Sequence, residues 1–177
     1  MLANYDPARP LRLETDAAQS RGLGMALWQQ QPSGEWRLLQ CGSRHILPAE
    51  SHYSATEAEL LAVTWAVQQA HLYLAGADFT LIVDHRPLIP ILNSKTLDEL
   101  PSPRIIRLKE KLAMYRLTAV WRPGIEHKVV DCFSRHPVDE PDAEDQSNAD
   151  ELGEHLQSML LQLRRDPESG DALMRIL

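Results

Sequence analysis

The chain has 177 residues, 44% of them hydrophobic, which is enough for one domain with a core. No apolar run approaches the roughly 20 residues of a membrane span, and the N-terminal residues show no signal-peptide pattern. Its two isolated cysteines, Cys41 and Cys132, argue against a disulfide framework or a zinc site and favour a reducing, intracellular compartment. The net charge of −7 is unevenly distributed: residues 1–138 hold 15 Lys and Arg and 14 Asp and Glu, whereas residues 139–177 hold 3 Lys and Arg and 11 Asp and Glu. Nucleic acid is therefore not excluded as a partner of residues 1–138.

The elements of the first part follow a recognisable order. Three strands are predicted over residues 11–16, 22–30 and 36–44, and a long helix rich in Ala, Leu, Glu and Gln follows over 55–74. Strands and helices then alternate: a strand at 78–84, a short helix at 87–92, an amphipathic helix at 103–114, a strand at 116–124 and a short helix at 126–134. This order predicts an α/β domain in which helices cover a mixed sheet.

The remainder of the chain has a different character. Seven of the 13 residues in 139–151 are acidic, which predicts a solvated linker after a domain over residues 1–138. A helical extension is predicted over 152–177, where apolar residues recur on one face: Leu152, Leu156, Met159, Leu160 and Leu163. This face could dock on the domain, pair with another chain or start the next domain of a longer polypeptide, and the apolar end of the chain favours the last of these.

Two carboxylates stand at the ends of predicted strands. Asp16 ends the first strand and Asp84 the fourth. If these strands are parallel neighbours, both side chains lie at the edge of the sheet where open α/β sheets place their sites. Each Asp taken alone is equally consistent with a turn or a helix cap.

Two further carboxylates have both a structural and a functional explanation. Glu59 shares a helical face with the apolar residues Val63 and Val67 and so points inward, although Thr56-x-x-Glu59 also fits a capping box. Asp131 lies in the last short helix, where the helix dipole by itself favours an acidic residue in the first turn. Four converging carboxylates would repel one another strongly, so such a cluster predicts bound cations, and oxygen ligands select Mg²⁺ or Mn²⁺ over zinc.

Four ordered motifs carry a family resemblance. They are TDAAQSRGLGMALWQ (15–29), YSATEAELLAVTWAV (53–67), VDHRPL (83–88) and WRPGIEHKVVDCFSR (121–135). Together they resemble the ribonuclease H domain of gypsy-type LTR retrotransposon and retrovirus-like reverse transcriptase polyproteins, over roughly residues 9–137. The resemblance implies a ribonuclease H fold, with a five-stranded mixed sheet of order 3-2-1-4-5 and an antiparallel second strand.

The resemblance also implies a site and a reaction. By motif, the catalytic and metal-binding carboxylates fall on Asp16, Glu59, Asp84 and Asp131. Two Mg²⁺ or Mn²⁺ ions would serve an endoribonuclease that hydrolyses the RNA strand of RNA–DNA hybrids and leaves 5′-phosphate ends. The implied partners are the hybrid and, in the same polyprotein, a polymerase domain and an integrase. The implied locations are a cytoplasmic virus-like particle or the nucleus.

Substrate contacts are implied for a set of polar and basic residues, although each Arg is also explained as a solvated surface charge. The set is Ser43, Arg44, Thr56, His85, Arg86, Trp121 and Arg122. We expect recognition through phosphates and 2′-hydroxyls rather than base edges. Trp121 stands where cellular ribonucleases H carry a loop His, and an indole neither titrates near neutrality nor accepts a proton. His127, near Asp131, is predicted to replace it, unless it is an ordinary surface imidazole.

Three functions fit these observations. The first is the metal-dependent nuclease acting on hybrids during reverse transcription. The second is a catalytically weak or non-catalytic domain of the same fold, kept for structure or docking; the presence of all four carboxylates argues against it. The third is a nuclease of this fold that acts on DNA, which an all-DNA duplex would reveal.

Overall fold

A five-stranded mixed sheet forms the centre of the domain. Its strands are β1 Leu11–Ala18, β2 Gly22–Gln30, β3 Trp36–His45, β4 Asp78–Val83 and β5 Arg116–Trp121. Their order is β3-β2-β1-β4-β5, with β2 antiparallel to both of its neighbours and with β1, β4 and β5 parallel. The predicted order and the antiparallel second strand are confirmed.

The structure is a computed structural model that describes residues 4–124, 127–143 and 145–147. The chain divides into one unit over Met1–Glu140 and a second over Pro141–Leu177. The division falls two residues beyond the predicted domain end. The helix predicted after residue 152 lies outside the described residues. In the part of the chain that is described, no helix combines the length and hydrophobicity that a membrane crossing requires.

Five α-helices with bounds inside residues 4–124 and 127–143 accompany the sheet. They are α1 Ala55–Gln69, α2 His71–Leu74, α3 Leu88–Asn93, α4 Pro103–Lys111 and α5 Lys128–Arg135, with short 3₁₀ helices at Glu50–His52 and Leu97–Glu99. The single helix predicted over 55–74 is divided, because Ala70 leaves helical geometry (φ −95°, ψ 13°) and a new turn begins at His71. β5 ends three residues before its predicted end, where Pro123 has no N–H to donate.

The core lies on one face of the sheet. Leu13, Leu27 and Leu81 stand in register on three neighbouring strands and are fully buried together with Val63 of α1. Because strand side chains alternate between faces, Asp16 of β1 belongs to the opposite face, where α5 packs. The same strand therefore contributes to the core and to the edge that carries the carboxylates.

Gly24 allows α5 to lie directly on β2. A Cβ atom at Gly24 would stand 2.6 Å from the carbonyl oxygen of Val130 and 2.7 Å from the amide nitrogen of Ser134. These contacts would be with backbone atoms, which cannot move aside as the end of a flexible side chain can. The missing side chain therefore sets the depth at which α5 packs.

After α5 the chain returns along the outer edge of β3. The amide of Asp139 donates to the carbonyl of Ser43 (3.3 Å), and the amide of His45 donates to the carbonyl of Asp139 (2.9 Å). Asp139, predicted as the first residue of a solvated linker, is instead paired with the sheet. This pairing covers part of an otherwise open strand edge.

Candidate active site

Three carboxylates from three elements meet at one edge of the sheet. One oxygen from each of Asp16, Glu59 and Asp84 lies within 4.8 Å of the others. Asp16 belongs to β1, Glu59 to the second turn of α1, and Asp84 directly follows β4. Since β1 and β4 are parallel neighbours, their carboxyl ends share this edge, as the sequence predicted.

Glu59 points into the cluster and does not cap its helix. The N-terminus of α1 is capped by the Ser54–Glu57 box, in which each side chain accepts from the backbone of the other. Glu59 is only 8% exposed, and its Oε2 has no hydrogen-bond partner among the described residues. Burial, followed by the charges of Asp16 and Asp84, raises the pKa of Glu59 to about 9, while a hydrogen bond from the Ala17 amide opposes the rise.

Asp16 is the second buried member of the cluster. Burial raises its pKa, and the charges of Asp84 and Asp131 raise it further. The hydroxyl of Ser134 donates a hydrogen bond to Oδ2 of Asp16 and opposes that rise. Ser134 was not among the predicted site residues, although it lies in the VDCFSR motif, three residues after Asp131.

The donor set fits a hard divalent cation. Two carboxylates are buried with raised pKa values, one carboxylate oxygen lacks a partner, and no Lys or Arg of the described residues forms an ion pair with any of the three. In water-poor surroundings this arrangement is unfavourable without a positive charge. Oxygen-only ligands of this kind are those that Mg²⁺ and Mn²⁺ prefer.

Asp131 lies beside this cluster rather than in it. Its Oδ1 accepts from Nε of Arg135, one turn later on α5, at 2.7 Å, and its side chain is 41% exposed. Its charge nevertheless reaches Asp16, whose pKa it raises. The structure thus brings together three of the four predicted carboxylates and places the fourth nearby, in an ion pair that was not predicted.

His127 is buried at the start of α5. It is 1% exposed, and neither ring nitrogen has a hydrogen-bond partner within the described ranges. Burial lowers its pKa more than the neighbouring acids Glu14 and Asp84 raise it, so the ring is neutral at neutral pH. The interpretation as an ordinary surface imidazole is wrong, and a ring enclosed in this way is poorly placed to exchange protons with solvent.

Two of the predicted substrate contacts have structural roles instead. Arg44 is 2% exposed and forms a bidentate ion pair with Glu50, with both nitrogen–oxygen distances at 2.8 Å. Ser43 is equally buried, and its hydroxyl accepts from the amide of Val138. We therefore correct the prediction for both residues, because their polar atoms face the protein interior and the returning chain.

Four other predicted contacts flank Asp84. Nε2 of His85 lies 2.9 Å from the hydroxyl of Thr56 on α1. On the other side, the guanidinium of Arg86 lies 4.0 Å from the ring centroid of Trp121, whose Nε1 donates to the carbonyl of Asp84 at 2.9 Å. The turn that carries Asp84 is thus fixed from both sides.

Arg122, the last predicted contact, is engaged within the protein. It lies 3.6 Å from the buried carboxylate of Glu14, which also pairs with Arg12 at 3.0 Å. Substrate binding by Arg122 stays a prediction, and it would have to occur while Arg122 pairs with Glu14.

The RNase H-like domain found in reverse transcriptase matches residues 6–115. Among curated relatives, the retrovirus-related Pol polyprotein from transposon gypsy of Drosophila melanogaster is 31% identical over 145 residues, covering 81% of this chain and 13% of the relative. The corresponding polyprotein from transposon 297 of the same organism is 35% identical over 98 residues, covering 55% and 9%. The chain therefore spans about a tenth of the length of these relatives.

Solved structures share the fold. The N-terminal RNase H domain of a Mycobacterium tuberculosis protein superposes with a TM-score of 0.55 at 12% identity, covering 73% of this chain and 99% of that one. The foamy viral protease-reverse transcriptase in complex with RNA/DNA hybrid gives 0.50 at 17% identity, covering 68% and 16%. At these identities the similarity shows the fold alone.

Proposed function

The chain belongs to the family of RNase H-like domains found in reverse transcriptase, and we propose that it hydrolyses the RNA strand of RNA–DNA hybrids with the help of divalent metal ions. The observation that carries this proposal is the convergence of Asp16, Glu59 and Asp84 within 4.8 Å at one edge of the sheet. Among the described residues no Lys or Arg forms an ion pair with a member of the cluster, so no side-chain cation already neutralises it.

The three carboxylates would hold the metal, and Asp131 would join them once it releases Arg135. Two bound Mg²⁺ or Mn²⁺ ions would lower the pKa of a water molecule and stabilise the charge that develops on the phosphate. Asp16, at the centre of the edge, is oriented by Ser134, and Glu59 keeps a proton at neutral pH until a cation takes its place. The fixed turn around Asp84 keeps the third ligand in position before substrate arrives.

The substrate would be recognised through its backbone. Without the four site carboxylates, residues 1–138 carry 15 basic against 10 acidic side chains, so metal binding leaves a net positive domain. Thr56, His85 and Arg86 lie beside the cluster and would contact phosphates and 2′-hydroxyls of the hybrid. Such contacts read shape and chemistry rather than sequence.

In its natural setting the domain would act as part of a longer Pol polyprotein. The relatives named above are polyproteins of which it spans about a tenth. We infer that a polymerase domain and an integrase accompany it during retroelement reverse transcription, in a cytoplasmic virus-like particle or in the nucleus. The polymerase would supply part of the grip on the hybrid.

One observation favours a second function, a weakly active domain kept for docking. Asp131 is turned toward Arg135 and is not part of the three-carboxylate group. If this pair persists in the presence of metal, one ligand of the predicted four is missing and turnover would be slow.

Incubation of the 177-residue chain with an end-labelled hybrid tests the proposal. We expect the RNA strand to be cut in Mg²⁺ or Mn²⁺, to leave 5′-phosphate ends, and to stay intact in EDTA. An all-DNA duplex serves as the control and should remain intact. An RNA strand that survives in both metals would favour the docking domain, and equal cleavage of the DNA duplex would favour a DNA nuclease.

A further inference from the structure

Arg86 and Trp121 form a unit at the rim of the carboxylate cluster. Arg86 lies two residues after Asp84, in the turn between β4 and α3, and its guanidinium is centred 4.0 Å above the Trp121 ring. Trp121 ends β5, in register with Val83 at the end of β4. The two side chains therefore meet across the tips of the strands that lead to the site.

The indole is fixed and can serve as a platform. Its Nε1 donates to the carbonyl oxygen of Asp84 at 2.9 Å, and its backbone belongs to the β4–β5 ladder. Because an indole has no basic nitrogen, Trp121 cannot carry out proton transfer. Stacking of a guanidinium on a fixed ring leaves the N–H groups at the edge of the guanidinium free to point outward.

Arg86 differs from the other arginines near the site in having no acidic partner. Arg44 is paired with Glu50, Arg122 with Glu14 and Arg135 with Asp131. Arg86 is exposed, and within the described residues no carboxylate lies within ion-pair distance of it. Among the described residues its charged group contacts the Trp121 ring alone, so its five N–H donors are available to a ligand that lies at the cluster.

Resting on the proposed function, we propose that Arg86, held on Trp121, binds a phosphodiester group of the nucleic-acid strand that enters the cluster. A guanidinium matches a phosphate with two parallel hydrogen bonds, which a lysine cannot do. A side chain that is already ordered by stacking loses less conformational entropy when it binds. Trp121 acts in this as a positioning residue, since it touches Arg86 and not the substrate.

The test is a double-mutant cycle on hybrid binding. The 177-residue wild type, Arg86→Ala, Trp121→Ala and the double variant are titrated with a fluorescent hybrid in EDTA over a series of KCl concentrations. Arg37→Ala is the matched control: it removes the same charge from an exposed site at the start of β3, about 16 Å along the sheet from the row of Asp16.

We expect Arg86→Ala to weaken binding several-fold and to reduce the slope of log K against log[KCl] by roughly 0.7 to 0.9, the effect of one phosphate contact. Trp121→Ala should weaken binding in the wild type but not in the Arg86→Ala background. Arg37→Ala should leave the slope unchanged.

An unchanged slope in Arg86→Ala, or equal effects of Trp121→Ala in both backgrounds, would overturn the inference. Cleavage of the labelled hybrid in Mg²⁺ by the same wild-type preparation tests the proposed function separately. A wild type that binds with the expected pattern but does not cleave would contradict the nuclease and leave the phosphate contact supported. A wild type that does not bind hybrid in EDTA would contradict the phosphate contact, while its cleavage in Mg²⁺ would still decide the proposed function.

Discussion

Asp16 and Gly24 face each other across the β1–β2 pair, and the backbone of α5 occupies the space that a side chain of Gly24 would need. Through this contact Ser134 of α5 reaches the carboxylate of Asp16. The packing of one helix on one glycine therefore decides how the buried carboxylate of β1 is oriented.

Gly24→Ala should displace α5. The added methyl group would stand 2.6 Å and 2.7 Å from backbone atoms of Val130 and Ser134, so the helix has to move. We expect a loss of about 1–3 kcal/mol in the free energy of unfolding, measured in urea, and a fall in hybrid cleavage. Gly42→Ala is the control, because its new methyl group would approach Trp65 only to 3.7 Å. Equal stability of the two variants would contradict the packing account.

Ser134→Ala should weaken metal binding more than it weakens the fold. The variant removes the hydrogen bond that opposes the rise in the pKa of Asp16 and lets the carboxylate rotate. We expect a loss of about 10- to 100-fold in Mn²⁺ affinity, measured by calorimetry, as is usual for residues that orient a ligand. Ser51→Ala, which removes a half-buried hydroxyl that donates to the carbonyl of Pro48 at 2.6 Å, is the control. A Ser134→Ala protein with wild-type affinity would show that the bond has no such role.

Asp84→Asn should abolish cleavage while the fold survives. The amide keeps the shape of the side chain but removes one charge and one good ligand from the cluster. We expect cleavage to fall by more than about 100-fold. In EDTA the thermal midpoint should equal or exceed that of the wild type, because the charge of Asp84 opposes ionisation of Asp16 and Glu59. Full activity would remove Asp84 from the site.

His127→Ala should slow turnover several-fold. The buried ring supports the first turn of α5, which carries Asp131, and its removal leaves a cavity. The measurement is single-turnover cleavage, with His136→Ala, an exposed residue at the end of the same helix, as the control. An unchanged rate in His127→Ala would show that the ring contributes nothing to the site.

His127 should also make the fold sensitive to acid. Because burial lowers its pKa below the ordinary value of 6.5, the unfolded chain binds a proton more readily than the folded one. Stability should therefore fall as the pH drops through and below 6.5, and this loss should be absent in His127→Gln. In EDTA, we expect the wild type to lose roughly 1 kcal/mol more than His127→Gln between pH 7 and pH 5, measured by urea unfolding. Parallel pH profiles would contradict a neutral buried ring.

The sequence predicted best what depends on periodicity and chain order. The meeting of Asp16 with Asp84 follows once β1 and β4 are parallel neighbours, and the inward direction of Glu59 follows from the apolar face it shares with Val63. The strand order, in contrast, was implied by the family resemblance. Strand pairing and helical periodicity extend over several residues, so no single side-chain contact determines them.

What the sequence could not predict depends on single side-chain partners. From the sequence, Arg44 is expected to be an exposed cation, but in the structure Glu50, six residues later, forms a bidentate ion pair with it. Asp131 was predicted to be the fourth member of the cluster, but in the structure its carboxylate accepts a hydrogen bond from Arg135, one helical turn later. Which of several possible partners a charged side chain takes depends on differences of about 1 kcal/mol in rotamer and solvation free energy. Residue spacing does not reveal such differences.

Mn²⁺ binding tests the central claim most directly, because it needs neither substrate nor turnover. Calorimetric titrations of the wild type are compared with Asp16→Asn, Glu59→Gln and Asp84→Asn, and with Asp98→Asn, which changes an exposed carboxylate of the Leu97–Glu99 turn, as the control. We predict that binding is lost or strongly weakened in each of the three cluster variants and retained in Asp98→Asn. Wild-type affinity in any two of the cluster variants would contradict a shared metal centre at this edge of the sheet.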